Sequence, residues 1–242
     1  MTFARNGIKA VLFDYGNTLI EYGPRQIEAQ YVALDKELSR LFGHCDSSRL
    51  KAIRDRQTLA PFHNGYVEND MELITGELIE EMYQIVPEDA QIEALIETRY
   101  KAFVHAIEVS SDVPSLLTKL RDQYRLGLVS NYPCSRSIEG SLKRTGLRDL
   151  FEAVVVSGDL GYAKPHAKPF ETMLGRLKLL PEECLFVGDN WLADVQGAKR
   201  MGMPAILISQ YTPYEEFKPS DGDHQPDAIV SHLSELDALL LP

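Results

Sequence analysis

The stretch Val11–Ile20, VLFDYGNTLI, decides the fold. An apolar run that begins at Ile8 stops at a carboxylate, Asp14. Gly16-Asn17 then turns the chain, and Thr18-Leu19-Ile20 leads it back to apolar character. A short continuous run of Val, Leu, Ile and Phe closed by turn residues is the pattern of a strand buried on both faces, as in a parallel sheet. In open parallel α/β sheets, ligands bind beyond the carboxyl ends of the strands. A lone aspartate at such an exit is therefore placed where a sheet presents a reactive group.

Five further runs of the same kind follow: Leu126–Ser130, Ala153–Val156, Leu185–Gly188, Ala205–Ser209 and Ala228–Ser231. Helical periods separate them, one through Leu116, Leu117, Leu120 and Tyr124, another through Phe170, Met173, Leu174 and Leu177. Alternation of strand and helix predicts an α/β fold, a Rossmann-like parallel sheet sandwiched by helices. Between the first and second strands the alternation lapses. Three helical stripes occupy this interval: Ile27, Tyr31, Leu34, Leu38, Leu41 and Phe42; Met71, Ile74, Leu78, Met82 and Ile85; Ile92, Leu95, Ile96, Phe103 and Ile107. Gly23-Pro24 and the stretch Ser110–Pro114 punctuate its ends. The expected organisation is an α/β core of residues 1–20 and 109–242 with an all-helical cap, 21–108, inserted into it. Charge supports the division. Residues 21–108 hold 17 acidic and 9 basic side chains, a balance of −8, which leaves −3 of the total −11 to the core.

With 242 residues, 44% hydrophobic and 25% charged, the chain buries a core without staples and has an ordinary soluble composition. No apolar run approaches the roughly 20 residues that span a bilayer, and no signal-like segment opens the chain, so a cytoplasmic protein without membrane partners is expected. Cys45, Cys134 and Cys184 are scattered and odd in number, which argues against a cysteine metal cluster or a disulfide framework. An acidic chain with no Lys/Arg run is not built for nucleic acid. A monomer or a homodimer is expected.

The strand exits carry the chemistry. The first ends at Asp14, the second at Ser130-Asn131, and the fourth at Gly188-Asp189, with Asp194 close behind; the exit of the third leads to Lys164. Clustered carboxylates repel unless a cation lies between them. Oxygen ligands with a phosphate suit Mg²⁺, and an aspartate can serve as a nucleophile that becomes an aspartyl-phosphate. Phosphoryl transfer is the reaction such a rim suits, with the lysine and hydroxyl holding phosphoryl oxygens.

Asp14 with Thr18-Leu19, the LVSN of Leu128–Asn131, Lys164-Pro165 and the VGDNWLAD of Val187–Asp194 resemble, in order, the four motifs of the haloacid dehalogenase (HAD) superfamily. The match is best to its phosphatase-like branch with a helical cap after the first motif. The resemblance spans essentially the whole chain, and four ordered motifs are far more specific than any one of them. It implies a Mg²⁺-dependent phosphatase acting on a small phosphorylated substrate. Asp14 would be the nucleophile, with Ser130 and Lys164 assisting catalysis. Asn131 would lie against the substrate, and Asp14, the Gly16 carbonyl, Asp189 and Asp194 would serve the metal.

One position departs from the family pattern. Family phosphatases usually carry a second aspartate two residues after the nucleophile, as general acid and base; here it is Gly16. Such help is worth on the order of 10²–10⁴-fold. Three explanations compete: a leaving group needing little protonation, a substitute such as Glu21 or His63, or a weak or inactive relative that binds a phosphorylated ligand. A 2-haloacid dehalogenase, which attacks carbon and needs no metal, is a further alternative. In the cap, Arg25, Tyr31, Arg54, Arg56 and His63 are candidates to reach a substrate, and the negative balance of the segment argues against a highly anionic polymer. Trp191 is expected to pack rather than to bind.

Overall fold

Six parallel strands form one sheet in the order β3-β2-β1-β4-β5-β6. They are β1 (Ala10–Phe13), β2 (Arg125–Ser130), β3 (Ala153–Val156), β4 (Cys184–Gly188), β5 (Ala205–Ile208) and β6 (Ala228–Val230). The computed structural model describes residues 5–211 and 219–241. All six expected strands are present, and β1, carrying Asp14 at its end, sits between β2 and β4. Its apolar run is divided by the pleat. Val11 and Phe13 enter one hydrophobic layer with α5 (Asp112–Arg121), α6 (Ser135–Arg144) and α9 (Glu235–Leu240). Ala10 and Leu12 enter the other, with α7 (Ala167–Leu177) and α8 (Gly197–Arg200). Both faces of the sheet are thus covered, which is why the strands read as continuous rather than alternating.

The segment between β1 and α5 carries four helices and, among the described residues, no strand: α1 (Pro24–Phe42), α2 (Ser47–His63), α3 (Met71–Tyr83) and α4 (Asp89–Ala106). Three of these follow the expected stripes. α2 does not, because its inward row is Leu50, Ile53, Gln57 and Pro61. A glutamine and a proline break the apolar period that would have revealed it. The four helices share a small core of their own, including Leu34, Leu38, Leu50, Ile53, Leu78 and Leu95. α4 belongs to both units: Leu95 enters that small core, while Phe103 and Val104 enter the layer above the sheet. Ser110–Pro114, expected as a linker, instead contains the start of α5, where a proline in the first turn forfeits no helical hydrogen bond.

Candidate active site

The carboxyl ends of the strands converge as anticipated. The Asp14 amide donates to the Val187 carbonyl (2.9 Å), which carries the ladder between β1 and β4 one residue beyond the strands. The turn that follows is held by Asn17, at φ 58°. Its N–H donates to the Ile20 carbonyl, and its side-chain oxygen accepts from the Tyr22 amide at 2.9 Å. Gly16 lies in this turn with an ordinary negative φ, and a Cβ there would meet Tyr22 Cβ at 3.4 Å. The backbone therefore does not demand a glycine.

Lys164 is 1% exposed, and its ammonium donates to Asp14 Oδ1 and to Asp194 Oδ1, each at 2.7 Å. Two contacts fix its main chain: the Lys164 amide donates to Asn131 Oδ1 (2.7 Å) and the Asn131 amide nitrogen donates to the Lys164 carbonyl (2.9 Å). The Lys164-Pro165 peptide is cis. Asp194 is held from its other side, Oδ2 accepting from the Asn190 amide at 3.0 Å. It belongs to a π-helical turn, Trp191–Gln196. A Cβ on Gly188 would lie 2.3 Å from Asp194 Oδ2, so this position is reserved for glycine by the carboxylate packed against it. Asp189 is half-buried, with the Thr18 hydroxyl 3.5 Å from its Oδ1. The Ser130 hydroxyl, at the end of β2, is bonded to no described residue.

Three carboxylates, Asp14, Asp189 and Asp194, offer oxygens that all lie within 4.8 Å of one another. One ammonium balances them. Burial, then Asp14 and Asp194, push the Asp189 carboxyl well above its usual range against the pull of Lys164. Burial likewise pushes Asp194 up to about 6, although Lys164 opposes it. Burial disfavours the Lys164 charge, but Asp14 and Asp194 outweigh it and its pKa is raised. The cluster is short of positive charge, and its donors are all oxygen, the set that suits Mg²⁺.

Asp14, Gly16, Ser130, Asn131, Lys164, Asp189 and Asp194 all line one cavity of about 280 Å³. Of the proposed helper residues in the helical segment, Arg54 lines it too. The others do not. Arg25 pairs with Glu108, Arg56 with Glu81, and Tyr31 donates to Asp55, all at the surface. Glu21 and His63 are absent from the lining, as is Trp191, whose indole N–H donates to Asp223 (3.0 Å). Two charged lining residues escaped the sequence reading: Arg99 on α4, and Glu68 in the loop between α2 and α3. That loop grips the core beside Lys164, the Ala163 amide donating to the Tyr66 carbonyl (2.8 Å) and the Glu68 amide to the Gly161 carbonyl (3.0 Å). Burial raises the Glu68 carboxyl, although hydrogen bonds from Ser157 and the Asn69 amide oppose the shift. Neither residue belongs to a local pattern; only the fold brings them to the site.

Residues 47–208 match the family of haloacid dehalogenase-like hydrolases. The chain belongs to this family. A glyceraldehyde 3-phosphate phosphatase of Methanopyrus kandleri is 27% identical over 230 residues, covering 95% of both chains. A ribulose-1,5-bisphosphate 5-phosphatase of Halopiger xanaduensis is 27% identical over 248 residues, covering 96% of this chain and 98% of its own. Among solved structures, a 2-haloacid dehalogenase from Pseudomonas syringae superposes with a TM-score of 0.73 at 25% identity, covering 96% of this chain and 98% of its own. A HAD phosphatase from Thermococcus onnurineus superposes with a TM-score of 0.66 at 27% identity, covering 97% and 98%. This HAD hydrolase has, among its described residues, no helix long and apolar enough to cross a membrane.

Proposed function

We propose that this HAD hydrolase is a cytoplasmic, Mg²⁺-dependent phosphatase that cleaves a small phosphorylated metabolite through an aspartyl-phosphate on Asp14. One observation carries the reading: the Lys164 ammonium bridges Asp14 and Asp194 at 2.7 Å each, inside a cavity that Asp189 also lines. Phosphatases among the relatives support it. Residues 21–108 act as the cap that encloses the substrate.

An oxygen of Asp14 attacks phosphorus. The bond to the leaving oxygen breaks, and that oxygen takes up a proton. Water then attacks phosphorus, the acyl-phosphate bond breaks, and Asp14 returns with release of inorganic phosphate. Lys164 holds the charge of Asp14 and of the phosphoryl oxygens, and the unpartnered Ser130 hydroxyl donates to one of those oxygens. Asn131 fixes the Lys164 main chain and lies against the substrate. Asp14, the Gly16 carbonyl and Asp189 would hold Mg²⁺, with Asp194 in support; bound there, the ion neutralises phosphate charge during transfer. Gly16 supplies no proton. Among the described residues lining the cavity, Glu68 is the carboxyl outside the aspartate cluster, and its raised pKa suits it to hold one.

A panel of phosphorylated metabolites, assayed with Mg²⁺ and with excess EDTA, tests this reading; hydrolysis that requires the metal is the expected result. A second reading, a 2-haloacid dehalogenase, is favoured by Gly16, because halide departs without a proton. Turnover of a 2-haloacid that survives EDTA would establish it in place of the first.

A further inference from the structure

The wall of the cavity contributed by the helical segment carries, among the described residues, two arginines beside the single carboxyl of Glu68, in a segment whose balance is −8. Arg54 on α2 and Arg99 on α4 both line the cavity. Neither takes part in any of the ion pairs or side-chain hydrogen bonds among the described residues, and the Nε of each is buried without a partner. Arg99 is 6% exposed.

This separates the two from the other arginines. Arg25, Arg40, Arg56, Arg125, Arg136 and Arg148 each hold a carboxylate. Arg144 and Arg176 bond main-chain carbonyls, and Arg5, Arg49, Arg121 and Arg200 are exposed. Buried charges are ordinarily paired. Here burial, followed by the like charge of Arg54, pushes Arg99 down to about 9; its remaining neighbours are Tyr132, Tyr22 and Cys134. The Arg54 charge thus adds to the cost of burying Arg99, and no carboxylate among the described residues is paired with either guanidinium. Gln57 Oε1, one turn from Arg54 on the same lining, is also buried without a partner.

We infer that Arg54 and Arg99 form a subsite for a second anionic group of the substrate, a carboxylate or a phosphate, remote from the phosphoryl group that Asp14 attacks. The inference rests on the phosphatase reading for the position of the first group. The preferred substrate is then a small phosphate ester with a second negative charge at its far end. Two guanidinium forks suit the planar or tetrahedral oxygens of such a group, and Gln57 Oε1, an unpartnered acceptor on the same lining, can take a hydroxyl hydrogen of the substrate.

The test uses n-alkyl phosphates of two to five carbons whose far end is methyl, carboxylate or phosphate, assayed with Mg²⁺. The best doubly anionic ester is expected to exceed its methyl counterpart in kcat/KM by about 100-fold, chiefly through KM. The carboxylate and phosphate arms show which group the subsite takes. Arg99→Met and Arg54→Gln should each shrink that ratio to within a few-fold of unity, and Arg99→Lys should restore part of it. Binding of the same esters to Asp14→Asn, followed by calorimetry, gives a readout independent of turnover. Hydrolysis of all esters at similar kcat/KM at every length, with a ratio unmoved by the arginine variants, overturns the subsite and leaves the phosphatase intact. Preferential binding of the doubly anionic esters that Arg99→Lys keeps and Arg99→Met loses, with no hydrolysis of these esters, of acyl phosphates or of the metabolite panel, upholds the subsite and overturns the phosphatase reading.

Discussion

Two walls of one cavity carry opposite charge and manage it in opposite ways. On the sheet side, Asp14 and Asp194 both accept from the Lys164 ammonium, and the deficit left over is of positive charge. On the helical side, Arg54 and Arg99 are bonded to nothing among the described residues, and the deficit is of negative charge. The sheet side is a self-supporting network that, on the proposed reading, a cation completes. The helical side is a pair of like charges with no anionic partner among the described residues, which the proposed subsite completes with an anion of the substrate. A phosphate ester with its metal answers both deficits. On the proposed reading, catalytic charge is held in the α/β unit, whereas selectivity is left to helices that pack around a separate small core.

The comparison breaks most decisively at Asp14. Asp14→Asn preserves shape but removes the proposed nucleophile and the charge that faces Lys164, and is expected to lower phosphatase turnover by roughly 10³-fold or more. Activity within tenfold of the wild type in a folded variant would mean that the sheet side does not act as described.

Gly16→Asp sharpens the comparison by restoring an acid on the sheet side. The position has a negative φ and room for a Cβ. Turnover of unactivated alkyl phosphates should rise by about 10²-fold, and that of acyl phosphates much less. If alkyl turnover does not rise, while Glu68→Gln depresses it in the parent enzyme, the proton comes from the helical segment.

Gly188→Ala attacks the packing of the network. Its Cβ would fall 2.3 Å from Asp194 Oδ2, so the carboxylate must shift from Lys164. A destabilisation of about 1–3 kcal/mol is expected from such overpacking, read as a lower urea midpoint. An unchanged midpoint would show that the Asp194 position is soft.

The smallest effect concerns the metal. Asp194, pushed up to about 6 when folded without metal, titrates near 3.9 in an unfolded chain. The folded protein binds more protons between these values, so this contribution to stability is full below about pH 4 and is lost as pH rises through about 6. A cation prefers the ionised carboxylates. Stabilisation by Mg²⁺ should therefore grow from pH 5 to pH 7.5, reaching about 1.4 kcal/mol at a tenfold excess over Kd. A thermal shift that Mg²⁺ leaves flat across that range would remove the cluster as its site.

Legibility in the sequence followed locality. β1 through β6 announced themselves because each is a short apolar run, and Asp14, Ser130 and Asp189 because they end such runs. Lys164 was visible as a lysine beyond the third strand's exit and as part of an ordered motif set; that its ammonium touches both Asp14 and Asp194 is a fact of the fold. α2 stayed hidden because Gln57 and Pro61 interrupt its inward row. Glu68 gave no signal, since it lies in a loop and reaches the site through contacts with Gly161 and Ser157.

The sequence by itself determined the α/β class, the parallel sheet, the helical insertion and the aspartates at the strand exits, because period and strand ends are properties of neighbouring residues. Only the tertiary structure decided which charges meet. Arg54 and Arg99 stand on different helices of a segment that is acidic overall, and their approach, unpaired, on one cavity wall depends on how α2 and α4 pack. Net charge is a sum over surface and interior alike, whereas recognition depends on the few charges that packing withholds from solvent.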